Sequence, residues 1–151
     1  MKRFVCLLFA LLLFSCGFAL AETRYVSGGS LRIRAAADGE SAVLGTLYAG
    51  APVNVTSVSG EWSCVQLADV TGWMLSASLA AKPSGDSTRT GKTVSPYGTP
   101  TVVLRSRPAN SYGTVSVLHV GETVRILGEM SGGFLCVTAQ GTGFLSAQEV
   151  R

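Results

Sequence analysis

The chain is short of nearly everything a catalytic centre is built from. It has a single histidine, His119. A two-histidine metal motif therefore cannot form, and no Cys-x-x-Cys pair is present. Four cysteines occur, but Cys6 and Cys16 lie in an apolar leader, which leaves Cys64 and Cys136. Both are flanked by strand-like residues rather than by a histidine or a helix start that would activate a thiolate. The acidic residues are scattered, and the nearest pair, Asp38 and Glu40, sits in a turn where solvation explains it. No glycine-rich phosphate loop opens a helix, because helical periodicity is nearly absent after residue 21. These absences argue against an enzyme and imply neither cofactor nor metal. Clustered positive charge is missing too. The chain carries 12 Lys+Arg and 9 Asp+Glu, but Lys2 and Arg3 belong to the leader. Without them the balance is close to neutral, and no basic stripe remains to track a nucleic-acid backbone.

What is present begins with that leader. Lys2 and Arg3 precede an apolar run from Phe4 to Ser15, and Ala19-Leu20-Ala21 offers small residues at a cleavage site. This is the three-part pattern of a secretory signal peptide over residues 1–21. The run is interrupted and short against the ~20 apolar residues that span a bilayer, so the mature chain is expected to have no transmembrane segment. Leu13-Phe14-Ser15-Cys16 followed by Gly17 also resembles a lipoprotein box, so lipidation at Cys16 is the alternative to free secretion. Either way the expected location is secreted or extracytoplasmic, in the cell wall or periplasm, where disulfides are permitted.

The rest of the chain is written twice. Arg34, Leu47, Gly50, Val53, Val55, Gly72 and Trp73 recur 71 positions later as Arg105, Leu118, Gly121, Val124, Ile126, Gly143 and Phe144. By residue type, Trp62, Cys64 and Val65 match Phe134, Cys136 and Val137 at an offset of 72, which implies a one-residue slip around the second aromatic strand. Two copies at this period indicate two domains rather than a solenoid. The cysteines then fall at matching strand positions, one per domain. Each is a small core residue, a free thiol, or half of an inter-domain bridge.

Short alternating runs separated by Gly, Ser, Asn and Asp read as strands: Leu31–Arg34, Val53–Thr56, Trp62–Leu67 and Gly72–Met74, then Thr101–Arg105, Glu122–Leu127, Phe134–Thr138 and Gly143–Ser146. The fold class expected is all-β, as two small antiparallel barrels. A barrel suits a domain of about 50–60 residues, because so short a chain buries little surface and closure removes exposed edges. Between the copies, AKPSGDSTRTG over residues 81–91 has no aliphatic residue larger than alanine and reads as a flexible linker. The expected organisation is 1–21 leader, 22–80 first domain, 81–91 linker and 92–151 second domain, with independent domains and unpaired cysteines.

The ordered set of marks resembles the bacterial SH3 (SH3b) family. In the first copy these are Leu31-Arg32-Ile33-Arg34, Val43-Leu44-Gly45-Thr46-Leu47 with Gly50, Val53-Asn54-Val55, Gly60-Glu61-Trp62, and Gly72-Trp73-Met74-Leu75-Ser76 with Leu79. In the second they are Leu104-Arg105, Pro108, Leu118-His119-Val120-Gly121, Val124-Arg125-Ile126 and Gly143-Phe144-Leu145-Ser146. The likeness covers residues 23–80 and 93–151, with Arg32 and Val103 where the family usually has asparagine. It implies a non-catalytic module that holds peptidoglycan or cell-wall peptides by aromatic stacking and by arginines that meet carboxylates. The candidate ligand contacts are Arg34, Tyr48, Trp62 and Trp73, with Arg105, Phe134 and Phe144 in the second copy. Tyr48 becomes His119 in the repeat, which suits an exposed contact. The other aromatics equally suit barrel core. The alternative reading is a protein–protein adaptor or sensor subunit of an envelope complex.

Overall fold

A computed structural model describes residues 21–108 and 113–151. The expected leader, with its cleavage site and Cys16, lies outside the described residues apart from Ala21. Among the described residues thirteen strands form: β1 (Glu22–Val26), β2 (Leu31–Arg34), β3 (Val43–Leu47), β4 (Pro52–Ser59), β5 (Trp62–Leu67), β6 (Val70–Leu75) and β7 (Leu79–Ala80), then β8 (Arg89–Lys92), β9 (Thr101–Arg105), β10 (Thr114–His119), β11 (Thr123–Met130), β12 (Gly133–Thr138) and β13 (Gly141–Ser146). Strands β1, β3, β7, β8 and β10 lie outside the runs that the residue pattern marks as strands. All pairing is antiparallel, and among the described residues the only helical element is a 3-10 turn at Ser76–Ser78. Each repeat wraps around its own core. Val26, Ile33, Leu47, Val53, Val65, Leu67 and Met74 fill the first, while Val102, Leu104, Leu118, Val124, Ile126, Cys136, Leu145 and Val150 fill the second.

From β2 and β9 onward the repeats keep an offset of 71, and the expected slip is absent. In the first, Val65 lies opposite Gly72, Cys64 opposite Trp73 and Trp62 opposite Leu75. In the second, Cys136 lies opposite Gly143, Leu135 opposite Phe144 and Gly133 opposite Ser146. The partner of Trp62 is therefore Gly133, that of Cys64 is Leu135, and that of Val65 is Cys136. Matching by residue type placed the cysteines at equivalent positions, but strand parity gives them opposite faces. Cys136 points into the second core and is fully buried, whereas Cys64 is half-buried on the outer face of the first barrel. Both thiols are free. Burial pushes the Cys136 thiol up to about 12.

The barrels are not independent. β3 of the first pairs with β11 of the second, Leu47 opposite Gly128, Thr46 opposite Glu129 and Gly45 opposite Met130, so the strands form one continuous sheet system. The Tyr48 amide donates to the Leu127 carbonyl at 2.8 Å, and the Asp69 amide to the Ser106 carbonyl at 3.1 Å. Leu127, Met130, Leu135 and Phe144 on the outer face of the second barrel are buried in one cluster with the first barrel's core, and Leu31, Leu44, Ala68 and Val70 pack against that cluster. Burying a Leu or Phe side chain is worth roughly 1.5–3 kcal/mol. Exposed ion pairs bring much less, because screening and lost side-chain freedom offset the attraction. The seam is therefore held by its apolar face.

The segment expected to be a flexible linker is tied down along its second half. The Ser87 amide donates to Ala49, Asp86 accepts from Arg125 at 2.9 Å, and Arg89–Lys92 is strand β8, paired with β11. Composition alone suggested solvation here. Main-chain pairing needs no apolar side chain and overrides it.

Candidate functional site

In both repeats an arginine on the second or ninth strand faces an aromatic residue on the closing strand of the sheet. Arg34 lies opposite Trp73, and Arg105 lies opposite Phe144. Alternation along β2 sends Ile33 into the core and leaves Arg32 and Arg34 outside. The surroundings of the two arginines then diverge.

On the first barrel, Arg34, Trp73 and Cys64 lie in one cross-strand row, with Trp62 and Leu75 in the next. Trp62 and Trp73 are half-buried, and Leu75 is 38 % exposed. The Arg34 guanidinium donates to the Ser41 carbonyl at 2.7 Å, which fixes one end of the group while it stays half-exposed. This is the same outer face that the second barrel turns toward the first. Here it is covered by no other strand among the described residues.

On the second barrel, Gly133 stands where the first has Trp62, and the corresponding place is a groove. Pro96, Tyr97, Arg105, Pro108 and Ser146 to Glu149 line it. Tyr97 is 84 % exposed. Arg105 reaches Glu149 through two bonds, 2.8 and 3.1 Å, and Glu149 also accepts the Ser146 amide at 2.8 Å. Burial works to raise the Glu149 pKa, but the Arg105 guanidinium and the Ser146 amide outweigh it and hold the carboxyl below its ordinary range. The first repeat has Ser78 in place of Glu149 and makes no such pair.

Of the seven candidate contacts, the structure brings Arg34, Trp62 and Trp73 together and places Arg105 in the second groove. The others lie elsewhere. Phe144 is 1 % exposed and is part of the seam. Phe134 occupies the position of the inward-facing Ser63 and packs against the second core. Tyr48, expected as an exposed contact, lies at the seam. Its hydroxyl bonds to Glu129 and receives Arg89, whose guanidinium also sits over the ring at 4.9 Å from the centroid. Partial burial, with the Glu129 bond, raises its pKa. Tyr97 and Glu149 were not singled out by the sequence, and Pro108 entered only as a mark of the family resemblance. Tyr97 falls in the lead-in to the second barrel, where the repeats have no common register, so no counterpart marked it.

No polar side-chain atom buried among the described residues lacks a hydrogen-bond partner, and no group of three or more His, Cys, Asp or Glu is placed to hold a metal. No helix among them is long and apolar enough to cross a membrane.

Two small antiparallel all-β units, β1–β7 and β8–β13, thus make up the described chain. The family model described as Bacterial SH3 domain matches residues 29–80 and 100–151, and the chain belongs to that family. Two solved structures from Trichomonas vaginalis are similar in part. NlpC1 is 13% identical with a TM-score of 0.42, over 91% of this chain and 48% of that one. NlpC2 is 12% identical with a TM-score of 0.41, over 89% and 49%. The chain thus spans about half the length of either. No curated protein matches it.

Proposed function

We propose that this tandem is a non-catalytic binding protein that works outside the cytoplasm and attaches to peptidoglycan or cell-wall peptides through one site on each barrel. The leader pattern in residues 1–21 supports export, and membership of the bacterial SH3 family supports a wall ligand. The observation that carries the reading is the equivalent placement of Arg34 and Arg105, the first beside Trp62 and Trp73 and the second in a groove with Tyr97 and Pro108. Aromatic faces stack on sugars or flat peptide units, and guanidinium groups meet carboxylates. In the second site Arg105 is already committed to Glu149, so stacking on Tyr97 carries more of the binding there.

Two weak sites on one chain bind a polymer more tightly than either alone, provided that both reach it. The seam fixes their spacing, which removes the ordering cost of a loose tether. The test is co-sedimentation of the mature chain with isolated sacculi. Retention at low and moderate salt is expected, with loss on combining Trp62→Ala and Tyr97→Ala and with far-UV circular dichroism unchanged. A wild-type chain that stays in the supernatant overturns the reading. Cross-linking that recovers one defined envelope protein, with no shift on titration with muropeptides, would instead make the tandem an adaptor.

A further inference from the structure

The outer edge of β10 is an open strand edge whose counterpart in the other barrel is closed. Among the described residues, β10 pairs with β9 on one side and ends the sheet on the other. Its repeat equivalent is β3, which uses the same outer edge to take β11. Native edge strands are usually blunted by a charge, a proline or a cover. Thr114–His119 reads TVSVLH, with no Lys, Arg, Asp, Glu or Pro; at its far end the Glu122 carboxylate accepts the His119 amide at 3.0 Å and the His119 carbonyl accepts the Thr93 hydroxyl, which leaves the stretch around Val117 open. Val117 is 54 % exposed, Val115 38 % and the adjoining Val120 44 %. β10 does carry an irregularity between Thr114 and Ser116, but β3 has the matching one and still accepts a strand from Gly45 onward.

We infer that this edge is a self-association site, at which two copies of the chain pair antiparallel through β10 about a twofold axis at Val117. The choice of a second copy follows from the interface already inside the molecule. Repeating the internal seam between copies would seat β10 on Ser57–Ser59 of β4, the equivalent of Gly128–Met130. That route is closed. Beta-carbons at Gly45 and Gly128 would run into the facing backbone at Glu129 and Thr46, and their equivalents are Ser116 and Ser57, which carry them. A head-to-tail chain is thereby blocked, whereas twofold pairing of β10 with itself is self-complementary and ends at a dimer.

Only a register that sets a residue opposite itself keeps both outward faces on one side of the sheet. The register about Val117 sets the two Val117 side chains opposite each other and Ser116 opposite Leu118 of the second copy, as uncharged pairs. Each valine then covers the other, and the two Val117 residues exchange main-chain bonds while the His119 amides stay with Glu122. The dimer carries four ligand sites rather than two.

Sedimentation velocity on the mature chain across a wide concentration range tests this. The wild type is expected to dimerise, and Val117→Lys, which sets two ammonium groups face to face, to lose the dimer with its circular dichroism unchanged. In a Cys64→Ser background, Val117→Cys is expected to give a disulfide dimer under mild oxidation, because directly opposed strand residues lie within bonding reach. Ser57→Cys in the same background is the control and is expected not to cross-link. A wild type that is monomeric at every concentration overturns the inference. So does a Val117→Lys chain that still dimerises, or a Val117→Cys chain that cross-links no faster than the Ser57→Cys control.

Discussion

Gly45 and Met130 face each other across the two barrels so closely that a β-carbon on Gly45 would fall against the Met130 side chain and the carbonyl of Glu129. Gly128 is in the same position on the other strand, where its β-carbon would lie 2.9 Å from Leu47 Cα. Neither glycine is needed for a turn, and their repeat counterparts, Ser116 and Ser57, show that each barrel tolerates a side chain there. The glycines serve the contact between barrels.

Gly45→Ser is therefore expected to destabilise the protein by roughly 1–3 kcal/mol, the usual cost of overpacking. Ser116→Gly, at the same place in the second barrel, is expected to leave the seam intact. Thermal unfolding of the two variants, compared with the wild type, checks the difference.

Leu135 and Cys64 occupy equivalent positions on opposite barrels, one covered and one open. Leu135→Ala is expected to cost about 2–5 kcal/mol, as for other buried leucines. Cys64→Ala is expected to cost less, since the half-buried thiol leaves no sealed cavity. Urea denaturation with matched slopes measures both.

The Arg105–Glu149 pair gives an acid dependence. Glu149 is held below its ordinary pKa in the folded state. Its contribution is fully present above the unfolded carboxylate value of about 4.3 and is lost as pH falls through the lower folded value. Glu149→Gln is expected to cost about 1.5–3 kcal/mol near neutrality, the worth of a charge-assisted bond. The gap from the wild type should close in acid, as urea midpoints across a pH series would show.

The thiols are expected to separate by reactivity. Cys64 should be alkylated in native buffer, and Cys136, buried and pushed up to about 12, only after denaturation. Intact mass should then show one adduct native and two unfolded. A second native adduct would mean that the second core opens.

The barrels themselves were legible because duplicated apolar positions hold their spacing: Ile33 and Leu104, Leu47 and Leu118, Val53 and Val124 all mark core in both copies. The register of β12 was not. Phe134 and Cys136 resemble Trp62 and Cys64 in type, and type suggested a slip where strand parity has none. The second barrel's outer face was not legible either. Leu127, Leu135 and Phe144 are buried, but against the neighbouring barrel rather than inside their own. A signal did exist in the unequal pairs. Where one repeat has Thr56 and Cys64, the other has Leu127 and Leu135, and where one has Ser57, the other has Gly128. Such asymmetry is what a face and its cover leave behind, whereas Tyr97 had no counterpart to mark it and Glu149 replaces an unremarkable Ser78.

The seam also makes the order of the halves matter. It joins β3 of the leading barrel to β11 of the trailing one, two strands that are not repeat equivalents. A transposed gene, with the trailing copy translated first, would present Ser116 to Ser57 and Leu135 to open water. Both barrels would still close, but nothing would lock them. Descent from one ancestral unit has thus ended in a division of labour, one copy specialised as the rider and the other as its saddle, so that neither can be replaced by a second copy of its twin.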